Sequence, residues 1–370
     1  GTHNTAIGYN AFGGTFADTT ADGSIGNIFI GYNAGSGDWD TAVSNYNVGI
    51  GNSALDADMN GATSNTAIGT STLSALTEGD SNTAVGRYAG GQITTAGFCT
   101  LVGHNAGQAI TTTGGSNVSD GTVAVGYNAL TALTSGSGNV AVGYTALSGL
   151  TTGSGNTVLG HNAANSMVLG ESHNVIIGTD AMGNVDEGTA GGDVDANVAI
   201  GYAALYGGDF AGNDRQLNGN VAIGYGAMDS TGANAQTGTI AIGHSALTAL
   251  TSGAGNTAVG FESQATAQDQ GDFNTSVGYQ SLKAFDPSSD GAGSNTAVGY
   301  QAAVGVTTGT NNTAVGKGAL SGADGAETEN VCIGTVAGST IDNGSNNVII
   351  GANAQASTAA ASNQIVIGKD

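Results

Sequence analysis

The feature that most constrains the fold is a short repeat that runs through the whole chain. A glycine ends each hydrophobic run, and eight of the twenty spacings between successive glycines are 17 residues, most others being 18 to 23. The unit reads Asn-Thr/Val-Ala-Ile/Val-Gly-Tyr-x-Ala-Leu, as in Asn139 to Leu147. Self-similarity at such a period is typical of solenoids, in which each repeat is one supersecondary unit.

The residues before each glycine alternate in a way that predicts a strand. The position just before it is Ile, Val or Leu in all twenty-one units, and the position two residues earlier is β-branched in twenty. This alternation is typical of a short strand with one buried face. We interpret the aliphatic column as that face, so the predicted core residues are Ile7, Val85, Val125, Val142, Ile200, Ile223, Ile242, Val259, Val298 and Val315.

A small residue stands between the two aliphatic positions in most units. It is Ala at Ala84, Ala141, Ala222 and Ala258, for example. We expect this small face to pack against a neighbouring chain or against an opposing wall of the same coil. Asn opens the strand in sixteen units, where it suits a left-handed turn or a bond from side chain to backbone.

One unit cannot bury its apolar face alone. Each aliphatic side chain contributes about 1.5–3 kcal/mol on burial, too little against the entropy of ordering a whole coil. Stacked units share a continuous core, so the sequence predicts an all-β parallel β-solenoid (β-roll or β-helix) of about 21 coils over residues 1–370. It is expected to be a single solenoid and a segment of a longer fibre chain. The spacings fall to 10 and 8 between Gly160 and Gly178, which predicts irregular coils around 160–178.

The thin core of so short a coil predicts a homotrimeric fibre, in which three parallel solenoids supply the missing burial. At about 4.8 Å per coil, the prism would be about 100 Å long.

Composition excludes several other classes of protein. With 66 Gly and one Pro, but no Gly at every third residue, the chain does not match collagen. The net charge of −23 disfavours nucleic acid and anionic membrane surfaces as partners. No apolar stretch reaches the length of a membrane span. We therefore expect no nucleic-acid binding and no membrane insertion, and a location on a virion surface, on a cell surface or outside the cell.

The repeat resembles that of a known group of fibres. Asn139-Val140-Ala141-Val142-Gly143-Tyr144-Thr145-Ala146-Leu147 resembles the repeats of bacteriophage tail-fibre proteins. It is also similar in pattern to the heads of trimeric autotransporter adhesins, whose coils are shorter and more regular. The closing run Ala361 to Gly368 resembles the segment that precedes the intramolecular chaperone of phage fibres. The resemblance covers essentially the whole chain and implies a trimeric fibre.

Aromatic residues are the candidate glycan contacts. The residue after the glycine is aromatic or His in many coils, which predicts a ladder of exposed rings. The candidates are Trp39, Tyr127, Tyr144, Tyr202 and Tyr225. The alternative interpretation is structural, with rings that cover a corner of the solenoid and a tryptophan that anchors its loop.

Acidic pairs and cysteines are the remaining candidates for chemistry. Asp38/Asp40, Asp56/Asp58 and Asp193/Asp195 have a spacing that could chelate Ca²⁺, although no Gly-fixed loop or closing Glu accompanies them, so a solvated acidic loop is favoured. Cys99 and Cys332 lie too many repeats apart to form a disulfide within one chain. We expect no cofactor.

The repeat, the charge and the candidate residues leave three possible functions. The favoured one is a structural and adhesive phage tail or virion fibre that binds host-surface polysaccharide. The alternative is a bacterial or archaeal surface adhesin or extracellular filament. A polysaccharide-processing enzyme is the distant third, because only one hexapeptide of the acyltransferase type fits each coil and no nucleophile elbow or P-loop is present. The chain is therefore predicted not to be an enzyme.

Overall fold

Two compact units make up the protein. The computed structural model describes residues 1–14, 23–39, 42–111, 119–185, 193–207, 216–232, 236–266, 271–287 and 292–368. The units are Gly1–Ile177 and Gly178–Asp370, and each is an all-β parallel β-solenoid, as predicted. That residues 1–370 form one continuous solenoid stays a prediction.

The first unit contains ten strands of three residues, each paired in parallel with the next. They are β1 (Thr5–Ile7), β2 (Ile28–Ile30), β3 (Val48–Ile50), β4 (Thr66–Ile68), β5 (Thr83–Val85), β6 (Thr100–Val102), β7 (Val123–Val125), β8 (Val140–Val142), β9 (Thr157–Leu159) and β10 (Val175–Ile177). The register repeats without slippage, so that Val140, Ala141 and Val142 pair with Thr157, Val158 and Leu159.

The second unit repeats the same plan with ten further three-residue strands in one parallel sheet. They are β11 (Val198–Ile200), β13 (Val221–Ile223), β15 (Ile240–Ile242), β16 (Thr257–Val259), β18 (Thr275–Val277), β20 (Thr296–Val298), β21 (Thr313–Val315), β22 (Val331–Ile333), β23 (Val348–Ile350) and β24 (Ile365–Ile367). Two small parallel pairs lie beside this sheet: β12 (Leu217–Asn218) with β14 (Gln236–Thr237), and β17 (Gly271–Asp272) with β19 (Ala292–Gly293).

The count of coils is lower than predicted. The stretch before Gly170 forms no strand, and β9 pairs directly with β10, so residues 160–178 hold one ordinary coil of 18 residues. Eight residues between two strands cannot complete a turn that needs about 17 elsewhere. Met167, which stands where the other units have a β-branched residue, is fully buried inside this coil instead.

The buried face of each strand is the opposite of the one predicted. Ala84, Ala141, Ala222 and Ala258, the middle residues of their strands, are fully buried inside the coil. The predicted core residues Val85, Val125, Val142, Ile200, Ile223, Ile242, Val259, Val298 and Val315 are half-exposed, and Ile7 is 58% exposed. The reason is space: the interior of so small a coil is narrow, so the middle strand position is Ala in most coils and a larger residue, such as Leu101 or Ile176, in a few. The larger core residues come from the turns, as with Leu55, Leu73, Leu130 and Leu147.

A ladder of buried asparagines fixes each coil to the next. The side-chain Oδ1 of Asn156 accepts hydrogen bonds from the backbone N–H and the side-chain amide of Asn174, both at 3.1 Å. The Asn156 amide donates in turn to Asn139 Oδ1 at 3.1 Å and to the Glu171 carbonyl at 2.8 Å. The predicted bond from side chain to backbone is therefore present. The left-handed residue is the one before the Asn, such as Gly155 or His173.

The glycine after each strand is required by the close approach of neighbouring coils. Gly143 has φ +146, and a Cβ placed there would lie 2.1 Å from the carbonyl oxygen of Gly160. Two left-handed residues follow, Thr145 (φ 50) and Leu147 (φ 53), and they reverse the chain so that the Leu147 side chain enters the coil. The residue immediately after the glycine points outward, which places the aromatic side chains.

Candidate functional site

The aromatic residues after the glycines stack from coil to coil, as the sequence predicts. Tyr9 and Tyr32 form a stacked pair with ring centroids 5.4 Å apart, and each unit also contains one longer ladder. In the first unit His104, Tyr127, Tyr144 and His161 stack with ring centroids 5.4, 5.1 and 5.1 Å apart. In the second unit six rings stack at 5.0–5.2 Å, with interplanar angles of 7–21°. They are Tyr202, Tyr225, His244, Phe261, Tyr279 and Tyr300. In-register parallel strands repeat each ring at the strand spacing of about 4.8 Å, which suits offset stacking.

The ladders are exposed, but mainly by their edges. Tyr127, Tyr144, Tyr202 and Tyr225 are 45%, 50%, 49% and 56% exposed. Because an interior ring has a neighbouring ring on both faces, the part that meets solvent is its edge. Such a surface contacts a ligand through ring edges and tyrosine hydroxyls rather than through a free ring face.

Two cationic side chains lie beside the ladders, although the whole chain carries a net charge of −23. Lys317 occupies the position after its glycine and places Nζ 5.8 Å from the Tyr300 ring centroid. Arg87 occupies the same position in its coil and lies 4.4 Å above the Tyr88 ring. Their place in the aromatic column is visible in the sequence, although the predicted glycan contacts are aromatic residues alone. Both are cation–π pairs that leave a charged group beside the ladder.

The third described cation, Lys283, is paired with the residue that follows Phe261 in the chain. Lys283 forms an ion pair with Glu262 at 2.5 Å. The hydrogen bonds from Lys283 and Gln280 hold the pKa of the Glu262 carboxyl below its usual value. Arg215 and Lys369, the other two cations of the sequence, lie outside the described residues.

Trp39 is not a glycan contact, and that prediction is wrong. Its side chain is fully buried, with the rings of Phe12 and Phe29 edge-on to it at 4.7 and 5.7 Å. The indole N–H donates to the Gly35 carbonyl at 3.3 Å. The alternative interpretation, an anchor for the loop, fits this arrangement because a buried indole needs both packing and an acceptor.

Other exposed aromatic side chains cover glycines away from the ladders. Tyr46 is 59% exposed, and a Cβ on Gly26 in the preceding coil would lie 2.7 Å from its ring. Phe273 lies over Gly255 in the same way, at 2.8 Å. These rings shield the left-handed glycine that precedes the asparagine ladder. They are useful controls for the ladder because they are exposed but do not stack with it.

The predicted Ca²⁺ pairs take part in contacts between coils. Asp58 Oδ1 accepts a hydrogen bond from the backbone N–H of Asp38 at 2.8 Å. Burial raises the pKa of the Asp56 carboxyl. In the second unit the backbone N–H of Asp195 donates to Asn218 Oδ1 at 2.8 Å. Asp40 lies outside the described residues.

A second acidic group brings three carboxylates close to one another. Asp324, Glu327 and Asp342 each offer a carboxylate oxygen, and these oxygens lie within 4.8 Å of one another. Glu327 is buried and accepts hydrogen bonds from the backbone N–H of Asn343 at 2.9 Å and of Gly325 at 3.3 Å. A hydrogen bond shared with Asp324 raises the pKa of Asp342. Among the described residues, this is the group with the geometry to hold one cation; the sequence prediction had not included it.

An open groove at the last coils is lined by Gln355, Ser357, Gln364, Ile365 and Val366. Ser357 is the one lining residue with a nucleophilic side chain, and none of the five residues is a general base that could activate it. The groove therefore contains no set of catalytic residues. The described residues contain no helix with the length and apolar character of a membrane span.

Comparison with known proteins adds no relative. Neither a protein-family model, nor a curated protein, nor a solved structure matches this chain.

Proposed function

We propose that this chain is a shaft segment of a homotrimeric extracellular fibre, the tail fibre of a virion, that holds host-surface polysaccharide. The observation that carries the proposal is the in-register stack of near-identical coils. Each coil in a unit is held chiefly by its neighbours, through the strand register and the asparagine ladder. Such a quasi-one-dimensional fold adds length with each repeat and builds extended binding surfaces.

The aromatic ladders are the surfaces on which the polysaccharide would lie. Their rings recur once per coil along the stack, so a linear polymer parallel to the ladder meets the same edges and hydroxyls at every step. Arg87 and Lys317 stand where a carboxylate or sulfate of an acidic sugar could be bound. Many weak, repeated contacts of this kind give avidity rather than a single tight site.

Affinity electrophoresis in gels that contain neutral or acidic polysaccharides tests this part of the proposal. Tyr144→Ala combined with Tyr225→Ala removes one interior ring from each ladder and should lower retardation by roughly tenfold or more, the scale of about 1.4 kcal/mol. Tyr46→Ala, an equally exposed ring away from the ladder, is the matched control. Equal retardation of all three proteins would contradict glycan binding at the ladders, and release of reducing ends would favour the enzyme alternative.

The choice between virion fibre and cell-surface adhesin depends on neighbouring sequence. An intramolecular chaperone domain encoded after this segment supports the phage fibre, whereas a membrane anchor supports the adhesin. Electron microscopy of the purified parent particle, with antibody raised against residues 1–370, would locate the chain directly.

A further inference from the structure

Two columns of outward side chains run along the sheet of each unit. They are the first and third residues of the twenty three-residue strands, whose middle residues point into the coil. The first position is Thr, Val or Ile throughout, and the third is Ile, Val or Leu. Ile68, Leu159 and Ile350 are 39%, 48% and 36% exposed. We call these two columns the aliphatic face.

The aliphatic face carries no charged residue on any of these twenty strands, in a chain with 28 acidic residues. Surface β-strands normally alternate buried apolar residues with outward polar ones, and exposed apolar patches of this size mark interaction sites. It is therefore a surface on which two chains of the same negative sign can approach without bringing carboxylates together.

The aliphatic face forms a long apolar strip within each unit. Nine gaps of about 4.8 Å make a ten-strand sheet about 43 Å long, and a strand of three residues is about 10 Å wide. Each unit thus offers a strip of about 430 Å², which is in the range of the largest, often functional, apolar patch on a typical monomer surface.

We propose that the aliphatic face is where three copies of this chain meet around a threefold axis. This inference rests on the homotrimer of the proposed function and assigns its interface. Three identical faces around one axis form a heterologous ring, in which each chain contacts two neighbours through different residues. The two columns match this requirement: the first column of one chain packs against the third column of the next, at the same coil level.

This assignment replaces the small-residue column as the interface. Ala141 and Ala222 are fully buried within their own coils, so they are not available to a second chain. The half-exposed Val142 and Ile223 beside them are available. A second copy of the chain fits this face better than a polysaccharide does. The face has no charged group, and the side chains on it that can form hydrogen bonds are the threonines at the first position of some strands.

The first experiment measures mass in solution by analytical ultracentrifugation and fold by circular dichroism. The wild-type chain should sediment as three copies. Val142→Asp combined with Ile223→Asp should sediment as a single copy with unchanged β-sheet signal, since both side chains can be solvated on an isolated coil. Ser137→Asp, an exposed position away from the face, should remain a trimer.

The outcomes separate the two proposals. A wild-type trimer that persists in the double variant would overturn the aliphatic face as the interface and leave the trimeric fibre standing. A wild-type chain that stays monomeric at all concentrations would overturn the trimer itself, and this inference with it.

The second experiment tests which column meets which. Val140→Cys and Val142→Cys lie in the first and third columns of one strand, while the native Cys99 and Cys332 are buried. Under mild oxidation, the double variant should give chains linked in threes on a non-reducing gel, and each single variant should stay unlinked. Links in either single variant, or none in the double variant, would refute the pairing of first with third column.

Discussion

The packing of Phe29 against Gly49 leads to a prediction that depends closely on the geometry of the coil. Phe29 occupies the middle strand position that is Ala in most coils, and its ring is fully buried. The next coil has Gly49 at the paired position, where a Cβ would lie 2.8 Å from Phe29 Cδ1. Gly49 is therefore required by the ring above it, rather than by its own backbone. We expect Gly49→Ala to destabilise the coil alone and to be harmless once the ring is removed.

The magnitudes follow from the two packing effects. Removing the buried Phe29 ring should cost about 3–5 kcal/mol. Gly49→Ala forces the ring to shift and should cost about 1–3 kcal/mol, as overpacking of a core does. In the Phe29→Ala background the clash is absent, and the loss of backbone freedom in the unfolded chain should make Gly49→Ala stabilising by about 0.4–1 kcal/mol. The coupling free energy between the two sites is then about 1.5–4 kcal/mol.

The assay uses the single tryptophan of the chain. Trp39 packs edge-on to Phe29, so its fluorescence during urea titration reports the unfolding of this cluster. Free energies of unfolding are compared for the wild type, the two single variants and the double variant. The same Ala pairing already occurs between Ala67 and Ala84, which shows that two alanines fit at adjacent coils. Additive effects of the two substitutions would refute the argument that Phe29 and Gly49 compensate each other.

Three further predictions test the core, the ladder and the buried thiols. Ala141→Leu should lower the free energy of unfolding by about 1–3 kcal/mol, because the added atoms enter a filled coil; an unchanged urea midpoint would place Ala141 outside the core. Asn156→Ala should cost about 1–3 kcal/mol for each buried backbone group left unpaired, including the Asn174 N–H, and loss of hydrogen-exchange protection at Asn174 would locate the effect. Burial raises the pKa of Cys99 to about 11 and of Cys332 to about 12, so at pH 8 no more than about one thiol in a thousand is the reactive thiolate. Both cysteines should resist iodoacetamide in the native protein and react in urea, and rapid native alkylation followed by mass spectrometry would contradict their burial.

The strand positions and the period could be predicted from the sequence, because alternation and self-similarity are local properties. Which face of the strand is buried could not, since both faces are apolar: Ala141 lies between Val140 and Val142. The usual preference for burying the larger side chain fails here because the interior of so short a coil is narrow. The leucines of the turns, such as Leu147, fill most of what remains.

The aromatic ladder was predictable in position and exposure, but its chemistry was not. Only the ring distances show that interior rings such as Tyr225 have both faces occupied. The burial of Trp39 is not evident from its own position in the sequence, because the residue lies in an insertion and insertions are usually solvated surface loops. One feature of the sequence does indicate it. Phe29 and then Gly49 replace the usual Ala at the middle strand position of adjacent coils, which indicates a large buried group nearby.

The asparagine ladder also sets where a stack under tension should open. In the first unit, Cys99 and Thr122 stand where other coils have Asn, and in the second unit Thr239 does. None of these side chains has the carboxamide that accepts two hydrogen bonds from the next coil, as Asn156 does. If the chain is the fibre proposed above, tension along its length should open the stack at these coils first. Extension by one loosened coil at a time would dissipate force while the asparagine-rich coils on either side remain intact.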